Sequence, residues 1–158
     1  MGARIVVDGG PADLPAHLDA LIRTRVPDID LLRRRLARPR PGRPLRWVAD
    51  AVPDPDRHLD RRPVVIGPGG DHPTWDDAVT AFFAEPVDPF TTGWRLRAAR
   101  EPATGRQAVL AKVHHTLGDG LAVTDALIRL LTDETRPAWP TSRRPRRRCR
   151  CASGPTAR

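Results

Sequence analysis

His114-His115-Thr116-Leu117-Gly118-Asp119-Gly120 brings together residue types that move protons, at fixed spacing. An imidazole titrates near neutral pH, so it can take a proton from an alcohol or amine and return it to a leaving group. The stretch follows an apolar run, Ala108 to Val113, and precedes an amphipathic run, Leu121 to Leu131. Neighbouring residues on a strand point to opposite faces. One histidine would then face a channel and the other the body of the domain. His115 is assigned to the channel, as a general base, and His114 to packing or orientation. Asp119 could hold the loop by pairing with an arginine, or orient the imidazole. Gly118 and Gly120 would permit positive φ and close approach of a backbone or substrate.

Other chemistries fit less well. Two His and an Asp could bind a metal, but adjacent histidines on a strand diverge and no further ligand pair is visible. No metal and no cofactor are therefore expected. A histidine pair satisfied within the structure remains open on pattern alone. The chain has no serine nucleophile elbow and no candidate catalytic cysteine, so covalent catalysis lacks a nucleophile. Direct transfer with a histidine base is the strongest chemical reading.

The elements that must position this stretch can be read in order. Ile5-Val6-Val7 is a short strand that ends in the turn Asp8-Gly9-Gly10. Asp13 is a plausible N-cap for a helix whose Leu14, Leu18, Leu21 and Ile22 share one face, with Pro27 bounding its far end. His17 falls on its polar side. Ile29 to Leu36, with Arg33-Arg34-Arg35, reads as a solvated charged segment before a strand. Arg38 to Arg46 is a Pro/Gly-rich connection. Trp47-Val48-Ala49 is a short strand followed by a Pro/Asp-rich turn. Gly67-Pro68-Gly69-Gly70 is a loop that lacks the Lys-Ser/Thr of a phosphate-binding loop. Thr74-Trp75-Asp76-Asp77 is a capping box opening a helix that ends before Pro86, with Trp75, Val79, Phe82 and Phe83 on one face. Trp94 to Ala99 alternates as a strand with one wet face, Arg95 and Arg97. Gln107 to Val113 returns as its hairpin partner, nearly all apolar and so central. Leu121 to Thr132 is a helix with Val123, Leu127, Leu130 and Leu131 on one face. The fold class expected is α/β, a mixed sheet with helices packed on it.

Charge is unevenly placed. The chain has 158 residues and a net charge of +8, yet all 19 acidic residues and 19 of the 27 basic ones lie within 1–135. The excess is the eight arginines of 136–158, so residues 1–135 carry no compositional claim to nucleic acid. The tail is Arg/Pro-rich and aperiodic, and it reads as disordered. A sharper expectation is GC-rich DNA translated out of frame, because the chain uses 26 Arg, one Lys, no Tyr and no Asn. Cys149 and Cys151 lie in this tail and are too few for a structural zinc site. No apolar run approaches the roughly 20 residues of a membrane span, and the N-terminus is not a signal peptide. The default address is cytoplasmic.

Three stretches together carry a resemblance. AVLAKVHHTLGDGLAVTDAL, residues 108–127, resembles the active-site segment of bacterial wax ester synthase/diacylglycerol acyltransferases. That family sits in the wider His-His-x-x-x-Asp-Gly superfamily, with chloramphenicol acetyltransferase and peptide-synthetase condensation domains. Pro86-Val87-Asp88-Pro89-Phe90-Thr91-Thr92-Gly93-Trp94 is similar to the family's Pro-Leu-Asp…Pro-Leu-Trp segment, with Gly93 where Leu is usual. Trp47-Val48 followed by Asp56-Arg57-His58-Leu59 is similar to its Trp-Val…Asp-x-x-x-His stretch. The resemblance runs from about Ile5 to about Asp133.

It implies a chloramphenicol-acetyltransferase-like lobe over residues 1–135 and an O-acyltransferase. His115 would be the catalytic base. His114, Asp119 and Gly120 would fill the other motif positions, the Asp maintaining architecture. The implied substrates are acyl-CoA and diacylglycerol or a long-chain alcohol, with peripheral contact to a membrane or lipid inclusions. The family has two lobes with a channel between them, so the expectation here is a truncated N-terminal lobe, an incomplete copy whose own activity is open. The competing expectation is a non-enzymatic gene fragment whose basic tail binds RNA or anionic lipid.

Overall fold

The apolar run that leads into the histidines is a central strand, as its composition demands. The computed structural model describes residues 1–7, 10–49 and 54–133. In chain order the elements are β1 (Gly2–Val7), α1 (Leu14–Arg25), a 3₁₀ turn (Val26–Asp28), α2 (Asp30–Arg33), β2 (Arg34–Leu36), β3 (Trp47–Ala49), α3 (Pro55–His58), β4 (Leu59–Val65), α4 (Trp75–Ala84), β5 (Trp94–Glu101), β6 (Arg106–Val113) and α5 (Gly120–Leu131). One sheet has the order β1-β6-β5-β4. β1 and β5 run antiparallel to β6, and β4 runs parallel to β5, so the sheet is mixed. β2 and β3 form a separate antiparallel pair.

One face of the sheet carries the main core. Trp94, Leu96 and Ala98 of β5 and Val109, Ala111 and Val113 of β6 point into it, by the period of two. Leu14, Leu18, Leu21 and Ile22 of α1 meet them, with Val123, Ala126, Leu127 and Leu130 of α5. These are the helical offsets read from the sequence. Asp13 caps α1 by accepting from Ala16 N–H at 3.0 Å. Arg25 then joins the two helices at their ends, donating to the carbonyls of Leu130 and Thr132 at the C-terminus of α5. The placement suits a cation, because the last carbonyls of a helix lack intrahelical partners.

The second face is covered too, and this corrects the wet face expected for β5. α4 lies over it, with Ala78 and Phe82 buried. Arg97 is only 12% exposed at its side chain; it bridges Asp60 at 2.8 Å and Glu85 at 3.0 Å and lies over the Phe82 ring. Lys112, the single lysine, is buried on the same face and donates to the carbonyls of Phe82 and Glu85 at the end of α4. Alternation reports polarity, not exposure: Arg and Lys bury their stems and keep the head paired. The expected Trp75/Val79/Phe82/Phe83 face is also narrower than predicted. Trp75 and Val79 are half-buried and Phe83 is exposed, lying against Gly2 of β1.

Other differences are local. β1 starts three residues before Ile5, because Gly2 to Val7 pair with Lys112 to Gln107, six of the eight residues of β6. The Arg33–Arg35 segment is not simply solvated: it ends α2 and forms β2. The capping box at Thr74 is present in both directions, Asp77 N–H to Thr74 Oγ1 and Thr74 N–H to Asp77 Oδ2. Asp8 and Gly9 of the first turn, residues 50–53 of the Pro/Asp-rich turn and the Arg/Pro tail with Cys149 and Cys151 lie outside the described residues. Among the described residues, no helix is long and apolar enough to cross a membrane.

Candidate active site

β6 ends at Val113, one residue before the histidine pair. Strand alternation therefore stops there, and the two rings do not diverge. They stack on one another, with centroids 4.4 Å apart and planes 28° apart. This corrects the opposite-faces expectation for His114 and His115. The outcome is still asymmetric, since His115 is exposed and His114 is half-buried.

His114 is held through its backbone and its Nδ1. Its N–H donates to the carbonyl of Gly93 at 2.7 Å, and its carbonyl accepts from Leu117 N–H at 3.0 Å. Its Nδ1 accepts from Thr116 N–H at 3.3 Å and lies 2.9 Å from Thr116 Oγ1. An Nδ1 that accepts leaves the proton of the neutral ring on Nε2. Burial, first, and then the neighbouring His115 push the His114 pKa below its ordinary value, against a smaller opposing pull from Asp88. The protonated form of His114 is thus disfavoured beside the exposed ring. At this separation two cationic imidazoles would repel by about 1–4 kcal/mol, depending on the screening.

The loop that receives the histidines is built from Asp88 to Gly93. The Asp88 carbonyl accepts from the N–H groups of Thr91, Thr92 and Gly93, and its Oδ1 accepts from Phe90 N–H at 2.9 Å. Gly93 has φ of +74°, and a Cβ there would lie 2.7 Å from Leu117 Cδ1. The glycine that departs from the resembling pattern is thus required here twice, by its backbone conformation and by the buried Leu117 packed on it. Next in the chain, Trp94 is fully buried and donates from Nε1 to the Leu32 carbonyl at 2.8 Å. The His58 ring stacks on Trp94 at 3.9 Å, 10° from parallel, and its Nδ1 sits 3.2 Å from the Trp94 carbonyl. The two upstream stretches that carried the resemblance therefore meet, and together they brace the turn that holds His114.

Asp119 does neither of the two things suggested for it. It caps α5: its Oδ1 accepts from Ala122 N–H at 2.9 Å, and it makes no ion pair among the described residues. A cap of this kind stabilises a helix by about 1 kcal/mol. It fixes where α5 begins, and hence how the loop from His114 closes. Neither Gly118 nor Gly120 has positive φ. Gly118 is needed for room, since a Cβ would meet Leu31 Cδ1 at 2.9 Å; Gly120 opens α5 facing nearly free space.

Sequence reasoning passed over Thr116, Leu117 and the Asp88 carbonyl, all of which hold the histidine loop. The signal available was the hydroxyl two residues after His114, the spacing of an ST turn. Among the described residues no three His, Cys, Asp or Glu side chains gather as a metal site.

Comparison with known proteins follows the same line. Residues 6–152 match the family model described as the wax ester synthase/diacylglycerol acyltransferase catalytic domain. The match extends past Asp133, where the resemblance above ends, into residues outside the described set. Proteins of Mycobacterium bovis and Mycobacterium tuberculosis named as diacylglycerol O-acyltransferases are 27% identical over 135 residues, covering 85% of this chain. The chain spans 28% of the length of those relatives. The structure of the wax ester synthase/diacylglycerol acyltransferase from Marinobacter aquaeolei superposes with a TM-score of 0.58 at 23% identity, over 84% of this chain and 32% of that one. The starter condensation domain of rhizomide synthetase superposes with a TM-score of 0.57 at 19% identity, over 82% of this chain and 30% of that one. At these identities the likeness speaks for the fold, which is the mixed α/β lobe expected from the sequence.

Proposed function

The chain belongs to the wax ester synthase/diacylglycerol acyltransferase catalytic-domain family, and from that premise we propose that it takes part in acyl transfer from acyl-CoA to diacylglycerol or a long-chain alcohol, with His115 as general base. The observation that carries this reading is the arrangement of the histidine pair. One ring is exposed on a turn braced by Gly93, Thr116 and the α5 cap, and the other is half-buried and stacked on it, with its Nδ1 bonded to Thr116.

His115 accepts the hydroxyl proton of the acceptor as its oxygen attacks the thioester carbonyl carbon. The tetrahedral intermediate collapses, the C–S bond breaks, and the ester forms. The imidazolium returns its proton to the departing thiolate, which restores the base. The lowered pKa of His114 works in favour of the middle state, because a second cation beside His115 would oppose its protonation. Asp119 and Gly120 act on architecture: they set the start of α5 and so the turn geometry. A base of this kind typically contributes about 10²–10⁴-fold, so the remainder of the rate must come from positioning of both substrates and exclusion of water.

The test is ester formation by the full chain with radiolabelled acyl-CoA and diacylglycerol or hexadecanol. The expected outcome is product that falls by about 10²–10⁴-fold in His115→Ala. Product that is unchanged in that variant would remove His115 as the base.

A further inference from the structure

Beside Arg35, five arginines, Arg38, Arg40, Arg43, Arg46 and Arg57, line a single cleft of about 660 Å³. The connection between β2 and β3 supplies four of them. Pro39, Pro41 and Pro44 restrict this segment's backbone. It folds back through the Arg43 N–H to Arg40 carbonyl bond, with Gly42 at φ +69°, and closes with Ala37 N–H donating to the Arg46 carbonyl. Elsewhere arginines reach carboxylates: Arg23 with Asp19, Arg61 with Asp19, Arg95 with Glu85, Arg97 with Asp60. None of the five has an ion-pair partner among the described residues. A concave cluster of like charges raises its own energy unless something anionic enters it. Guanidinium forks match the oxygens of phosphate and carboxylate groups bidentately, and a ligand with several phosphates offers the most charge to a cluster of this size.

The cleft is also tied to the histidine loop. Phe90 and Thr91 form part of its wall. Both belong to the turn closed on the Asp88 carbonyl, whose last residue, Gly93, binds His114. From Thr91 to Gly93 is two residues, at most about 7 Å of chain. An anion in the cleft would therefore sit beside the same turn that presents His115. Phe90 brings an aromatic side chain to the cleft wall, where a planar base could stack.

We infer that this arginine cleft is the subsite for the phosphate-bearing end of the acyl donor, the 3′-phosphate and diphosphate of coenzyme A. The inference rests on the acyl-transfer reading above and adds the place where the donor is held. Calorimetric titration of the full chain with coenzyme A tests it, on wild type and on the combined Arg40→Ala, Arg43→Ala and Arg46→Ala variant. These side chains are exposed, and a combined Arg→Lys variant at the same positions controls for folding while it keeps charge. The expected result is an affinity loss of tenfold or more in the alanine variant, a smaller loss in the lysine variant, and weaker wild-type binding of dephospho-coenzyme A; a tenfold loss is about 1.4 kcal/mol. Coenzyme A affinity within about twofold of wild type in the alanine variant overturns the inference, as does no wild-type binding, or a loss confined to phosphatidylglycerol vesicles. Ester assays with acyl-CoA and with acyl-N-acetylcysteamine, a thioester without phosphates, separate the two ideas. The alanine variant should raise KM for the first donor only. If neither donor gives His115-dependent ester while coenzyme A binding falls as expected, the acyl-transfer reading fails and the cleft stands.

Discussion

Gly93 is the residue on which the histidine turn depends most directly. Its φ of +74° is costly for any other residue, and a Cβ would press on the buried Leu117 at 2.7 Å. Gly93→Ala should destabilise the fold by roughly 1–3 kcal/mol, read by thermal or urea unfolding. Its effect on ester formation should exceed what unfolding explains, because the Gly93 carbonyl positions His114. His114 makes a separate prediction. Burial and His115 lower its folded pKa, so the folded state takes up this proton less readily than the unfolded chain. As pH falls through the ordinary histidine value of 6.5, the unfolded state is protonated first and stability is lost. Relative to wild type, His114→Asn should therefore gain stability from pH 7 down to pH 5. Equal Tm differences at the two pH values would contradict this. Histidine NMR titration should also place His114 below its ordinary value.

At the scale of elements, the ion-paired cluster between β4, β5 and α4 decides how the second face of the sheet is sealed. Asp60 and Arg97 are cross-strand partners in the parallel β4–β5 pair, and Glu85 reaches the same guanidinium from the end of α4. Burial pushes the Asp60 pKa up, but the Arg62 N–H and the Arg97 guanidinium outweigh it and hold it below the usual carboxylate range. A carboxylate held down in this way stabilises the fold above its unfolded value, and that stability is lost as pH falls through the folded one. Asp60→Asn should cost about 1–3 kcal/mol at pH 7, between the values for exposed and buried pairs, with the gap to wild type closing below about pH 4. Urea unfolding at pH 7 and pH 3 checks both parts. This cluster also shows what a sequence can carry. The caps at Asp13 and Thr74, the helical faces of α1 and α5 and the β5–β6 hairpin were legible, because each rests on residues a few positions apart. The burial of Arg97, the stacking of His58 on Trp94 and the gathering of arginines around one cleft were not. The first two join residues that are remote in sequence, and the third sets neighbouring arginines of one connection against Phe90 and Thr91 from a distant turn; an arginine has the same letter whether its head is in water or paired under a helix. Asp119 was legible as a motif member, but its capping role needed the true start of α5.

At the scale of the whole molecule, the charge falls into two separate zones with different expected partners. Residues 1–135 balance to zero, yet they gather Arg38, Arg40, Arg43, Arg46 and Arg57 at one cleft. Residues 136–158 hold eight arginines and no acidic residue. Electrostatic binding to a polyanion scales with the number of charges neutralised and falls steeply with salt. A sequence of eight arginines without acids should bind heparin or RNA in that way, with no requirement for a shaped site. The cleft should favour a compact ligand with several phosphates, because its arginines are gathered on a proline-restricted turn. Removing 136–158 should therefore abolish most of the salt-sensitive binding to RNA, measured by fluorescence anisotropy between 50 and 200 mM salt, over which each such contact weakens binding further. The same deletion should leave coenzyme A affinity within about twofold, while the cleft substitutions should do the reverse. Loss of both kinds of binding on deleting 136–158 would mean that the two zones act as one surface. That result would reassign the cleft arginines from donor recognition to general polyanion attraction.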